Sequence, residues 1–101
     1  MDDPKPTTGE LRVVDNPDNR RYEVWLDERR VGFSEYNLAG DRIVFLHTEV
    51  DPSVKGLGIG SRLAAGELDD VRARGLKIVA KCPFIAAWLR RHPDYADLLA
   101  G

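Results

Sequence analysis

The chain has 101 residues, with 15 Lys and Arg against 17 Asp and Glu and a net charge of −2. That suits one domain around one core and offers no basic surface of the kind nucleic acid requires. Its single cysteine excludes an internal disulfide, and no apolar run approaches the roughly 20 residues that cross a bilayer.

The opening residues 1–8 have neither the basic head nor the apolar stretch of a signal peptide, so a reducing, cytoplasmic setting is expected. Residues 1–9 read as a flexible tail, too polar to offset its ordering entropy, and residues 10–101 as the domain. A short run over residues 10–14 reads as a first strand and ends at Asn16-Pro17-Asp18-Asn19, a turn dense in turn formers. Over residues 21–27, Tyr22, Val24 and Leu26 share one face while Glu23, Trp25 and Asp27 share the other, the period of two that strands require. Residues 31–38 form the return strand, with Val31 and Phe33 on one face. There Tyr36 and Leu38 keep the apolar spacing only through a slip of register, the mark of a bulge. Ile43-Val44-Phe45-Leu46 is apolar on both faces, which predicts a central strand covered on both sides.

Beyond a glycine-rich stretch, a helix is expected over residues 62–74, with Leu63, Ala64, Leu68 and Val71 on one side and Glu67, Asp69, Asp70 and Arg72 elsewhere. Gly75, preceded by Arg72 and Arg74, stops it. Residues 76–80 then read as a strand parallel to the fourth, because the helix carries the chain back across the sheet. Pro83 opens a last short helix that pairs Phe84 with Trp88 and Ile85 with Leu89, and Pro93 ends it. The sum is an α+β fold whose sheet is mostly antiparallel, with one parallel βαβ unit at its C-terminal end.

The organising stretch is Val50-Asp51-Pro52-Ser53-Val54-Lys55-Gly56-Leu57-Gly58-Ile59-Gly60-Ser61. Glycines at a strand-to-helix joint admit φ values closed to other residues and let a ligand approach the backbone. The unpartnered amides that open the helix favour a phosphate or pyrophosphate. Lys55 precedes the glycines instead of following them, so the P-loop pattern fails. Gly56-Leu57-Gly58-Ile59-Gly60 is G-x-G-x-G and is followed, about 20 residues on, by the basic Lys77, so the dinucleotide-binding fingerprint is weak as well.

The stretch resembles the acyl-CoA loop of the GNAT superfamily of acetyl-CoA-dependent N-acyltransferases, Val-x-Pro-x-x-Arg/Gln-x-x-Gly-x-Gly/Ala. Val50, Pro52, Lys55, Gly58 and Gly60 occupy its places. Lys55 departs from the usual Arg or Gln, keeping a cation but losing planar bidentate geometry. The likeness extends through His47-Thr48-Glu49-Val50, Cys82-Pro83-Phe84 and Arg90-Arg91-His92-Pro93-Asp94-Tyr95, as in a compact branch of about a hundred residues. It implies that the fourth and fifth strands splay and admit the cofactor's pantetheine arm. It also implies that Val50, Lys55, Gly56, Leu57, Gly58, Ile59, Gly60 and Ser61 hold acetyl-CoA. Larger members carry helices between their first two strands; here only residues 16–20 join them. The acceptor site is therefore either open or completed by a second copy of the chain.

Cys82 ends the fifth strand and precedes Pro83 at a helix start, where free amides and the helix dipole favour a thiolate. Strand C-termini are also where open α/β sheets bind ligands. Three roles stay open for it: a covalent acetyl carrier, a proton donor to the departing CoA thiolate, or a lining group. His47 and Glu49, on one side of the fourth strand, could take a proton from an amine. His92, extended by Pro93, reads as a cap. One Cys and two distant His have no metal-ligand spacing. The expected function is transfer of an acetyl group from CoA to an amine of a small molecule, peptide or protein. The alternative is a CoA-binding sensor or interaction module without catalysis.

Overall fold

The structure is a computed structural model and describes residues 10–100; the expected tail over residues 1–9 lies outside the described residues. Five strands lie in chain order in one sheet: β1 Leu11–Asn16, β2 Arg21–Leu26, β3 Arg29–Ala39, β4 Arg42–Val50 and β5 Lys77–Ala80. The first four pair antiparallel, and β4 pairs with β5 in parallel. The connection between β4 and β5 is helix α1, Ile59–Ala73, and a second helix α2, Pro83–Arg91, follows β5. The outer edge of β5 is closed by the chain's end: Ala100 N–H donates to Ile78 O at 2.8 Å beside a parallel bridge from Leu99, which leaves fewer unpaired strand groups there.

The core lies between the sheet and α1, where Tyr22, Val24, Ile43, Phe45 and Ile78 meet Leu63, Leu68 and Val71, all buried. Gly66 allows the closest approach. A Cβ at that position would lie 2.8 Å from Val13 Cβ on β1. Gly66→Ala is expected to lose about 1 kcal/mol, since overpacking of about 1–3 kcal/mol outweighs a helix-propensity gain of about 1 kcal/mol. Urea unfolding measures this, and an unchanged midpoint would mean that α1 can lift off β1 without loss.

Three expectations are corrected, on the cover of β4, on the faces of β3 and on Glu67. β4 is covered on one side only: Ile43 and Phe45 are buried, but Val44 is half-buried and Leu46 is 38% exposed. Among the described residues no helix lies over that second face. Its middle is closed instead by a polar lattice in which Glu23 accepts from Arg21 Nε at 2.8 Å, Asn16 Nδ2 at 3.0 Å and Trp25 Nε1 at 3.0 Å. Burial alone raises that carboxyl; these bonds outweigh it and hold Glu23 below the usual carboxylate range. Arg21 and Arg30 stand over Phe33 at 5.2 and 5.8 Å.

In β3 the slip of register falls at Val31, the extra residue between the pairs Val24–Gly32 and Trp25–Arg30. It places Ser34 and Tyr36 inward and sets Val31 in the core and Phe33 on the open face, where the two were expected to share one; Leu38, near the strand's end, is 53% exposed. A second bulge, unforeseen, sits in β4: Glu35 pairs with His47 and Tyr36 with Phe45, leaving Leu46 unpaired. Last, Glu67 lies in the core at 0% exposure, on the face that was expected to exclude it.

Candidate active site

The chain leaves β4 through a 3-10 turn, Pro52–Val54, capped by Asp51, whose Oδ1 accepts from Ser53 N–H at 2.9 Å. Arg29 steadies the cap from β3, 2.9 Å from Asp51 Oδ2. Then come Lys55, exposed, and Gly56 and Gly58 at φ 87° and 74°. Gly58 is the N-cap of α1, and no side chain caps that helix. The first intrahelical bond comes from Arg62 N–H to Gly58 O at 3.1 Å, so the amides of Ile59, Gly60 and Ser61 precede the ladder. A Cβ at Gly56 or Gly58 would meet nothing within 4 Å, so the space beside these amides is open. An anion fits this end by charge and by shape.

Gly60 seats the helix start against the rest of the site. A Cβ there would lie 3.0 Å from Phe84 Cζ and 3.7 Å from Val50 Cγ2. The side chain of Ser61 ties the same turn to α2, because its Oγ accepts from Trp88 Nε1 at 3.0 Å. Trp88 in turn stacks on His92 at 3.7 Å with 12° between the rings. His92 is the C-cap of α2, with Nδ1 2.8 Å from Trp88 O. His92 thus supports the wall behind the loop, in keeping with its reading as a cap.

The strands part where β4 outruns β5. Their ladder stops at Phe45 and Ala80, while β4 continues to Val50. At that point Phe45 O accepts from both Lys81 N–H, 3.0 Å, and Cys82 N–H, 2.9 Å. Beyond it β5 turns into α2, and among the described residues no strand lies beside that edge of β4 over residues 46–50. Cys82 is the N-cap of α2, 2% exposed, with Sγ 3.3 Å from Thr48 Oγ1. Thr48 Oγ1 lies 3.1 Å from Ser34 Oγ. The uncapped glycine helix start, the flank of β4 beyond Phe45 and the thiol at the start of α2 make up the candidate site.

A family model described as GCN5-related N-acetyl-transferase matches residues 21–98. The chain belongs to that family. Among solved structures, a GCN5-like candidate N-acetyltransferase from Staphylococcus aureus aligns with TM-score 0.69 and 25% identity over 90% of this chain and 89% of its own. The ribosomal-protein-S18-alanine N-acetyltransferase of Escherichia coli shares the fold at TM-score 0.56 and 19% identity, over 60% of this chain and 41% of its own. As a GCN5-related N-acetyltransferase the chain is an acyltransferase with the five-stranded mixed sheet of its relatives.

In this acetyltransferase the residues expected around the chemistry fall on two faces. His47 Nε2 lies 2.9 Å from Glu49 Oε2, both exposed, on the open side of β4 with Phe33. Cys82 and Thr48 lie on the helical side. The bulge at Leu46 is the reason. Strict alternation from buried Phe45 would turn His47 inward; one extra residue turns Thr48 inward and His47 out. His47 and Cys82 therefore flank β4 instead of meeting beside it.

The tyrosines of the family member are committed elsewhere. Tyr22 donates to Asp70, Tyr36 to Asp15 at 2.6 Å, and Tyr95 to Asp69 at 2.7 Å. Burial and then the Asp70 bond push Tyr22 far up, burial and then Asp15 raise Tyr36 to about 12, and the Asp69 bond and then burial raise Tyr95 to about 12. Glu67, Ser34 and Thr48 are site neighbours that the sequence does not single out. Glu67 stands four residues after Leu63 and four before Val71, so helical phase alone would put it inward. Among the described residues no group of three His, Cys, Asp or Glu side chains comes together to hold a metal.

Proposed function

We propose that this chain transfers an acetyl group from acetyl-CoA to an amine that arrives over the open face of the sheet. The carrying observation is the joint itself: free amides at Ile59, Gly60 and Ser61, the bare flank of β4, and Cys82 at the end of β5. Lys55 and those amides hold the diphosphate, with Val50, Gly56, Leu57 and Gly58 forming the surrounding loop. Acetyl-CoA supplies an activated acyl group as a thioester. His47, oriented by Glu49, takes the proton that the amine loses as its nitrogen bonds to the acetyl carbon. Cys82 supplies the proton that the departing sulfur gains. The family's more usual acid is a tyrosine, and all three tyrosine hydroxyls here already donate to aspartates.

The test begins with binding. Titration with CoA should move the amide resonances of residues 55–61, and acetyl-CoA should release free thiol when an amine panel is added. Lys55→Glu, at an exposed position, should weaken CoA about thirtyfold, or about 2 kcal/mol, by charge reversal beside the diphosphate. Its unfolding midpoint should not move. Unmoved loop resonances would remove the cofactor site from this loop. One observation favours a second reading, a CoA-binding module: only the three-residue turn Pro17–Asn19 joins β1 to β2, so no helix walls an acceptor pocket. CoA binding without thiol release on any amine would select it.

A further inference from the structure

Glu67 is the least expected group in the core. It sits in the middle of α1 at 0% exposure, facing Ser34 on β3 and Cys82 at the start of α2. Neither of its carboxyl oxygens has a hydrogen-bond partner among the described residues. An ionised, unpaired carboxylate in such a place is prohibitively costly, and the group avoids that cost by keeping its proton. Burial pushes its carboxyl well above the usual range, with Ser34 pulling the other way and Cys82 adding to the rise. Tyr22 and Tyr36 on the same covered face send their hydroxyls to Asp70 and Asp15 at the rim. Cys82 is thus the ionisable neighbour that Glu67 faces.

A neutral carboxyl has one hydrogen to give. Ser34 Oγ, Thr48 Oγ1 and Cys82 Sγ form a string with steps of 3.1 and 3.3 Å, in which heavy-atom positions leave the direction of donation undecided. Ser34 is the hydroxyl that acts on the Glu67 carboxyl; were that carboxyl to turn its hydrogen onto Ser34, Ser34 would donate to Thr48, and Thr48 to the sulfur. We propose that Glu67 is a positioning residue for Cys82, a buried neutral acid that orients the Ser34–Thr48 hydroxyls so that the sulfur accepts from Thr48. With its lone pair occupied from the core side, Cys82 keeps its own S–H free to face the flank of β4. Donation to sulfur also favours the state after that proton is given away. The role rests on Cys82 acting at the reacting end, as proposed above.

Carboxyl-carbon NMR on the wild-type protein tests the first half. Glu67 Cδ should still hold its protonated position at a pH where the exposed glutamates have already titrated in their ordinary range. The second half is read from the rate at which methyl methanethiosulfonate modifies Cys82 at fixed pH. Glu67→Gln retains a donor and should keep the rate within about twofold, whereas Glu67→Met removes it and should slow modification about tenfold. A Glu67 carbon that titrates with the exposed carboxylates, or equal rates in the two variants, overturns the proposal. The carbon measurement stands even if Glu67→Met fails to fold. CoA-induced shifts at residues 55–61 report the cofactor site separately, so its loss would leave these results interpretable.

Discussion

Cys82→Ala is expected to lower turnover about a hundredfold, the usual scale for loss of a general acid, while leaving CoA affinity within about twofold. The sulfur caps α2 with no side-chain bond to the helix amides, so its removal leaves that helix start as it was. Its backbone N–H, which helps end the ladder at Phe45 O, is unchanged by the substitution. The missing function is proton delivery to a leaving thiolate, a transition-state contribution that appears in kcat instead of KM. Mass spectrometry after quenching should find no acetyl group on the wild-type sulfur. Acetyl accumulating on Cys82 would replace the acid role with a covalent one, and full activity in Cys82→Ala would remove the residue from the chemistry.

Glu67→Gln should stabilise the protein at pH 7 by on the order of 2 kcal/mol, with the difference shrinking to nothing near pH 4. The folded chain holds this proton more tightly than the unfolded chain, whose carboxyl titrates near the ordinary value of 4.5. The stabilising contribution is therefore complete below that value and is lost as the pH rises toward the folded one. Glutamine has nearly the same shape, keeps a donor for Ser34 and carries no proton to lose. Urea unfolding of both proteins across this pH range gives the difference directly. A constant offset between the curves would mean that Glu67 titrates alike in both states and is not a buried acid.

Much of the scaffold is legible because it is written in alternation and punctuation. Tyr22 and Val24 alternate with Glu23 and Trp25, Gly75 and Pro93 end their helices, and the glycines from Gly56 to Gly60 mark the joint between β4 and α1. The positive φ values at Gly56 and Gly58 are what those glycines permit. What escapes reading depends on phase. A single unpaired residue, Leu46, exchanges the faces of His47 and Thr48, and no local composition signals it. Val31 shifts the phase of β3 in the same way, setting Val31 in the core and Phe33 on the open face. Glu67 is misplaced when its charge is allowed to outweigh its helical spacing. The string through Ser34 and Thr48 to Cys82 joins residues far apart in the chain, and only folding brings it together.

The short turn between β1 and β2 has an architectural consequence. Pro17–Asn19 is exposed, buries no residue and closes through Arg20 in a left-handed conformation, at the rim of the face that no helix covers. Backbone at such a rim tolerates insertion, because lengthening a loop costs little entropy and disturbs no packed neighbour. A segment grafted there would roof the bare β-surface and could be varied without touching the loop from Lys55 to Ser61. On the proposed function, an acceptor preference built there would be a detachable attribute, set at a seam remote in sequence from Lys55 and Cys82.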